Sequence, residues 1–204
     1  MVSICKSFSF AKGDIMLLGQ PAQTDSRRPM GPSDLLKLAA LGITSRSATS
    51  AAEIHCAILD ITDPFWAPVG DVVADSLSDM VEDGLLRRDG RSGLMATDAG
   101  KELLADLFLR PTGRPGCLLE RAALRLKLAF IDLAPSEIRR RYLESAIRDY
   151  EGEIAACERR CDDCRPAGHF GRQWRQHETE RLRGDLSMLR HLVAGPHLSS
   201  SSLH

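Results

Sequence analysis

The sequence predicts a mainly α protein: three helices, a small β-hairpin and a fourth helix, followed by long C-terminal helices. Three observations lead there. Apolar residues recur at helical spacing through most of 33–194. The period changes once, around 85–96, where two short apolar runs flank a turn of glycine and charged residues. A proline- and glycine-rich stretch, 111–116, then divides the chain.

Ser33 stands where it would cap a first helix carrying Leu35, Leu36, Leu38, Ala39 and Leu41, with Gly42 where helices stop. A second helix is expected from Thr49 or Ser50 to about Ile61, with Ala52, Cys56 and Leu59 turned inward. Proline cannot continue a helix, so the turn from Asp63 through Pro64, Phe65, Trp66 and Ala67 to Pro68 ends it. A third helix carries Val73, Leu77, Met80 and Val81 and ends at Gly84. Leu85 to Arg88, a turn over 89–93, and Leu94 to Ala96 form the hairpin. Thr97 caps a fourth helix with Leu103, Leu104, Leu107 and Phe108 inward. Helix, helix, helix, hairpin, helix is the order of a winged helix-turn-helix domain, here 32–110. Beyond the linker come a helix near 118–133, a break at Pro135, a long helix from Ser136 to about Cys164, and a last helix over roughly 171–194. That last helix shows Leu182, Leu186, Leu189 and Val193 along one face. Long amphipathic helices bury their stripes only against one another, another domain or a second chain, so 117–195 is expected to be a helical dimerisation domain. Residues 1–31 lack periodicity and are expected to form a flexible arm, and 196–204 a disordered tail.

The 204 residues are 43% hydrophobic and 27% charged, ordinary for a globular protein. Aromatic residues are only 5%, so the core must be mostly aliphatic. The net charge of −1 is unevenly distributed: 30–110 hold seven basic and thirteen acidic residues, whereas 111–204 hold sixteen and thirteen. The middle of the chain therefore lacks the overall basic character of many nucleic-acid binders. The apolar run Ile15 to Leu18 is too short for a secretory signal. No stretch approaches the roughly 20 apolar residues of a membrane span. A cytoplasmic protein with mostly reduced cysteines and no membrane partner is expected. There is no P-loop, no dinucleotide glycine fingerprint and no evident Ser/His/Asp or paired-carboxylate arrangement, so an enzyme is not expected.

Three segments resemble the PadR family of transcriptional regulators. Phe65, Trp66, Ala67 and Pro68 form an aromatic–proline turn before the third helix. Leu77, Met80, Gly84, Leu85 and Leu86, then Thr97, Asp98, Ala99 and Gly100, follow the family's recognition-helix and wing pattern, which closes on Thr-x-x-Gly. The run Leu124 to Phe130, with Leu133, Pro135, Ser136 and Glu137, is similar to the start of the family's C-terminal region. The resemblance spans 33–194. It implies a homodimeric winged-helix regulator that binds double-stranded DNA, whose C-terminal helices cross to the partner and whose small-molecule effectors bind near the dimer interface. The sequence departs from the family where a Ser-Leu-Tyr-Pro run reads Val72, Val73, Ala74, Asp75, and where a basic pair reads Ser78, Asp79.

The third helix holds Asp71, Asp75, Asp79, Glu82 and Asp83 and no Lys or Arg. Carboxylates repel phosphates, so backbone contacts from it are disfavoured. Ser76 and Ser78 are candidates for base edges; a solvated acidic face is the other reading. The wing arginines Arg87, Arg88 and Arg91 suit phosphate or minor-groove contact, or serve only solubility. Lys37 and Arg46 are further candidate phosphate contacts. Cys157, Cys161 and Cys164 fall on one helix face, with His169 five residues on. Three thiolates and an imidazole would complete a zinc site, and similar spacing suits an iron–sulfur cluster. A redox switch beside Arg159, Arg160 and Arg165, or plain packing in a dimer seam, are the alternatives. Trp174 is a candidate effector contact or an interface anchor.

Overall fold

The computed structural model describes residues 28–62, 66–90, 92–163 and 168–195. The order is α1 (Pro32–Thr44), α2 (Ala51–Ile61), α3 (Gly70–Glu82), β1 (Leu86–Asp89), β2 (Gly93–Ala96), α4 (Asp98–Leu109), α5 (Leu118–Ala129), a 3-10 turn (Ile131–Leu133), α6 (Ser136–Asp163) and α7 (His169–Ala194). This is a mainly α chain with a winged helix-turn-helix unit and long C-terminal helices, as the periodicity predicts.

Local chemistry explains most boundaries, with some corrections. Gly31, not Ser33, caps α1. Pro32 fills the first helical position, and the Gly31 N–H donates to Asp34 Oδ2 at 3.0 Å. Ser50 caps α2 through a reciprocal pair with Glu53. The buried residues of α2 are Ile54 and Ile58; Ala52, Cys56 and Leu59 lie outside. The aliphatic pair four residues apart sets the face, and it is rotated from the expected one. Val193 is also exposed, because the second core ends at Leu189. The helix expected near 118–133 stops at Ala129 and tightens into the 3-10 turn. Phe65, the arm over 1–27 and the tail over 196–204 lie outside the described residues.

One core joins α1, α2, α3, the hairpin and α4, and it also takes in Ala122, Ala123, Leu126 and Phe130 from α5 and its end. Met30, expected in the arm, is buried in this core, and its N–H donates to Pro111 O at 2.9 Å. The Asp34–Arg110 ion pair at 2.9 Å fastens the same two ends of the unit. The second core lies between α6 and α7, with Tyr142, Leu143, Tyr150, Leu182, Leu186 and Leu189, and with Leu124 reaching it from α5. Glu158 pairs with Arg183 and Glu151 with Arg190, at 2.6 and 2.7 Å, so α6 and α7 run antiparallel. Phe108 meets Tyr142 edge-on, with ring centroids 6.3 Å apart, so α4 rests on α6. No described helix is long and apolar enough to cross a membrane.

Candidate functional site

The wing is positioned by backbone pairing on both edges of β2. Arg87 pairs in register with Met95 and Arg88 with Leu94. On the other side, Thr49 and Leu94 exchange N–H···O bonds of 3.0 and 2.9 Å, which ties the hairpin to the start of α2. Behind the wing, the Thr97 N–H donates to Leu85 O at 3.0 Å. Its hydroxyl donates to Gly84 O at 2.7 Å and accepts from the Gly100 N–H at 3.1 Å. Gly84 takes a positive φ of 72°, which an L side chain rarely adopts. A Cβ on Gly100 would overlap Leu85 O, so α4 approaches the strand only through a glycine. The Thr-x-x-Gly pattern is thus the clasp that orients the wing.

The candidate residues fall into distinct settings. Arg87 is exposed; its Nη2 donates to Met95 Sδ at 2.9 Å and its Nη1 lies 3.6 Å from Asp89. Arg88 is exposed, and alternation along the strand points it to the opposite face. Arg91 lies outside the described residues. On α3, Ser78 is exposed and Ser76 half-buried, and Asp71, Asp75, Asp79, Glu82 and Asp83 are all exposed. The outward face is acidic, as the sequence indicates. Lys37 is half-buried on α1. Arg46 grips both oxygens of Asp132, at 2.8 and 3.0 Å, donates to Ala129 O and lies over the Phe130 ring. It ties the α1–α2 turn to the end of α5, and a phosphate would have to displace Asp132 from Arg46 Nη2.

Two cavities lie beside the linker. The first, 440 Å³, lies among the end of α4, the linker, α5 and α6. Its polar groups went unnoticed in the sequence. Lys127 is 1% exposed and donates to Phe108 O at 3.0 Å and Arg110 O at 2.7 Å; its ammonium lies 4.8 Å from the centre of the Tyr142 ring. Burial pushes its amine down to about 7, against the pull of Glu120 and Asp149. Burial likewise pushes Glu120 up, although the Gly116 N–H and the Tyr150 hydroxyl, at 2.9 and 3.0 Å, stabilise its anion. A signal was present: Lys127 stands four residues after Ala123 and three before Phe130, on the buried side of α5.

The second cavity, 530 Å³, opens between the linker, α6 and the N-terminal half of α7. Trp174, 65% exposed, forms one wall, and Cys117 and Cys157 line it with Arg114, Arg160, Arg175 and Glu153. Glu153 accepts from Arg114 at 2.6 Å, Arg160 at 2.5 Å and the Cys157 thiol at 3.3 Å. Partial burial opposes the ionised form, but these bonds hold its carboxyl below the usual range. Of the expected cluster of Cys157, Cys161, Cys164 and His169, Cys157 lines this cavity. The Cys161 side chain and Cys164 lie outside the described residues, and His169 is exposed against Phe170. Among the described residues no three His, Cys, Asp or Glu side chains form a group able to hold a metal.

No protein-family model and no curated protein matches the chain. Solved structures of Bacillus subtilis PadR are similar. The complex with p-coumaric acid is 18% identical over 78% of this chain and 97% of that one, at a TM-score of 0.38. A structure described as PadR without a named ligand is 16% identical over 85% and 100%, also at 0.38. The complex with operator DNA is 18% identical over 78% and 98%, at 0.35. Scores this low decide nothing by themselves, and the fold rests on the element order and packing described above.

Proposed function

We propose that the protein is a homodimeric, DNA-binding transcriptional regulator. The observation that carries this reading is the wing: a hairpin whose β2 pairs with β1 on one side and bridges Thr49 on the other, presenting Arg87 and Arg88 to solvent beside an exposed α3. Arg88 and Arg87 contact phosphate or the minor groove, and Ser78 is the α3 side chain best placed for a base edge. Dimerisation is supported by the exposed apolar Met188 and Leu192, four residues apart on one side of α7. The Trp174-walled cavity is the entry for a small-molecule effector in this reading. The test is a fluorescence titration of the protein against its own upstream DNA at two salt concentrations. Submicromolar binding that weakens with salt is expected, and R88A should lower the salt slope by about one. Binding no tighter than micromolar at low salt would overturn the reading.

The acidic outward face of α3 favours a second reading, a winged-helix module that docks on a basic protein surface. It predicts capture of a protein partner without DNA, lost when Asp75 and Asp79 are replaced by Asn. Recovery of specific promoter fragments with the protein would eliminate it.

A further inference from the structure

We infer that the groove between the linker, α6 and the N-terminal half of α7 is the docking surface for α3 of a second copy of the chain. The inference rests on the second reading above, in which the acidic face of α3 meets a basic protein surface, and it names that surface. The groove has an apolar side that the described residues leave uncovered. Trp174 is 65% exposed, and Phe170, four residues earlier on the same side of α7, is 83% exposed. Two exposed aromatic rings beside a 530 Å³ cavity are an interface feature. The groove is also basic: Arg114, Arg160, Arg175 and Arg181 line it against Glu153 and Glu178. Arg114 and Arg160 both donate to the one carboxylate of Glu153 and are both exposed, so positive charge remains at the rim.

The outward side of α3 carries the matching chemistry. Asp71, Asp75, Asp79 and the C-cap Asp83 follow one another at intervals of four, and the helix holds no Lys or Arg. Like charges four apart repel along a helix, so a basic surface laid against them relieves a repulsion the helix cannot relieve itself. Val72 is 52% exposed and precedes Asp75 and Asp79 by three and seven residues, so all three share one side. Apolar against aromatic and acid against base therefore coincide: Val72 meets Trp174 while Asp75 and Asp79 face Arg114 and Arg160. The wing arginines also offer positive charge, but no exposed large apolar side chain accompanies them among the described residues.

The occupant is a second copy because within one chain neither face covers the other. α3 packs on α1, α2 and β1, α7 packs along α6, and both Val72 and Trp174 stay exposed. Each copy offers one α3 and one groove, so a two-fold exchange satisfies both and closes the pair. A small molecule filling the groove would compete with α3, so entry of an effector there and release of α3 are one event.

The experiment places the photo-reactive p-benzoylphenylalanine at position 72 of the full chain, mixes unlabelled with ¹⁵N-labelled copies, and maps cross-links by tryptic mass spectrometry. Cross-links between copies of different isotope are expected, from position 72 to 173–175, the tryptic peptide that carries Trp174. W174A and D75N/D79N alter only exposed side chains. Each should lower the cross-link yield roughly tenfold, the scale of losing two surface ion pairs. No cross-link, cross-links within one chain only or to another part of the partner, or a yield that both variants leave unchanged would each overturn the inference. The second reading fails separately, on recovery of promoter fragments with the protein, so the two failures are distinguishable.

Discussion

Lys127 reaches from α5 to the Arg110 carbonyl at 2.7 Å, closing the C-terminal end of α4 with a side chain seventeen residues away. A second bond to Phe108 O makes this amine the donor for two carbonyls that the end of a helix leaves without intrahelical partners. The contact joins the winged unit to the helical region through one buried group.

That group makes stability depend on pH. The folded state holds the Lys127 amine near 7, below its unfolded value, so between about 7 and 10.5 the unfolded chain binds more protons. Stability from this group therefore rises with pH through that window, and the cost of burying the charge is fully present below about 7. Lys127→Met strands two carbonyls at every pH, at about 1–3 kcal/mol each. Denaturant titrations should show K127M losing more relative to the parent at pH 9 than at pH 6, with a slope of at most about 1.4 kcal/mol per pH unit. A pH-independent difference would contradict the buried amine.

Gly100→Ala places a Cβ onto the Leu85 carbonyl, and backbone has little freedom to move aside. A loss of about 1–3 kcal/mol is expected, read as a lowered Tm. Gly152→Ala, where a Cβ meets nothing, serves as the matched control and should leave Tm unchanged or raised.

Thr97→Val keeps the shape but removes the hydroxyl that caps α4 and bonds to Gly84 O. The expected cost is about 1–2 kcal/mol. Hydrogen exchange should locate faster opening in β1, β2 and the first turn of α4, with α6 and α7 unaffected.

Tyr150→Phe deprives the buried Glu120 of a donor at 3.0 Å. The carboxyl should then titrate still higher, because burial already pushes it up and one stabilising bond is gone. A group raised in the folded state contributes stability at low pH that fades as pH climbs through its folded value. Y150F should therefore lose stability more steeply than the parent on going from acid to neutral pH, measured by urea unfolding.

The sequence by itself determined the order of elements, the capping role of Thr97, the start of α2 near Ser50, the wing and the acid on α3, because these follow from periodicity, caps and glycines acting within a few residues. It placed the wrong face of α2 inward: only the packing against α1 and α3 decides whether Ile54 and Ile58 or Cys56 and Leu59 are buried. It also offered Arg46 as a phosphate contact, whereas the carboxylate of Asp132, 86 residues away, holds its Nη2. The burial of Lys127, and the meeting of Cys157 with Arg114 and Arg175 around one cavity, join the linker, α5, α6 and α7. Such contacts depend on how the helices cross, and helical spacing within each segment is blind to that.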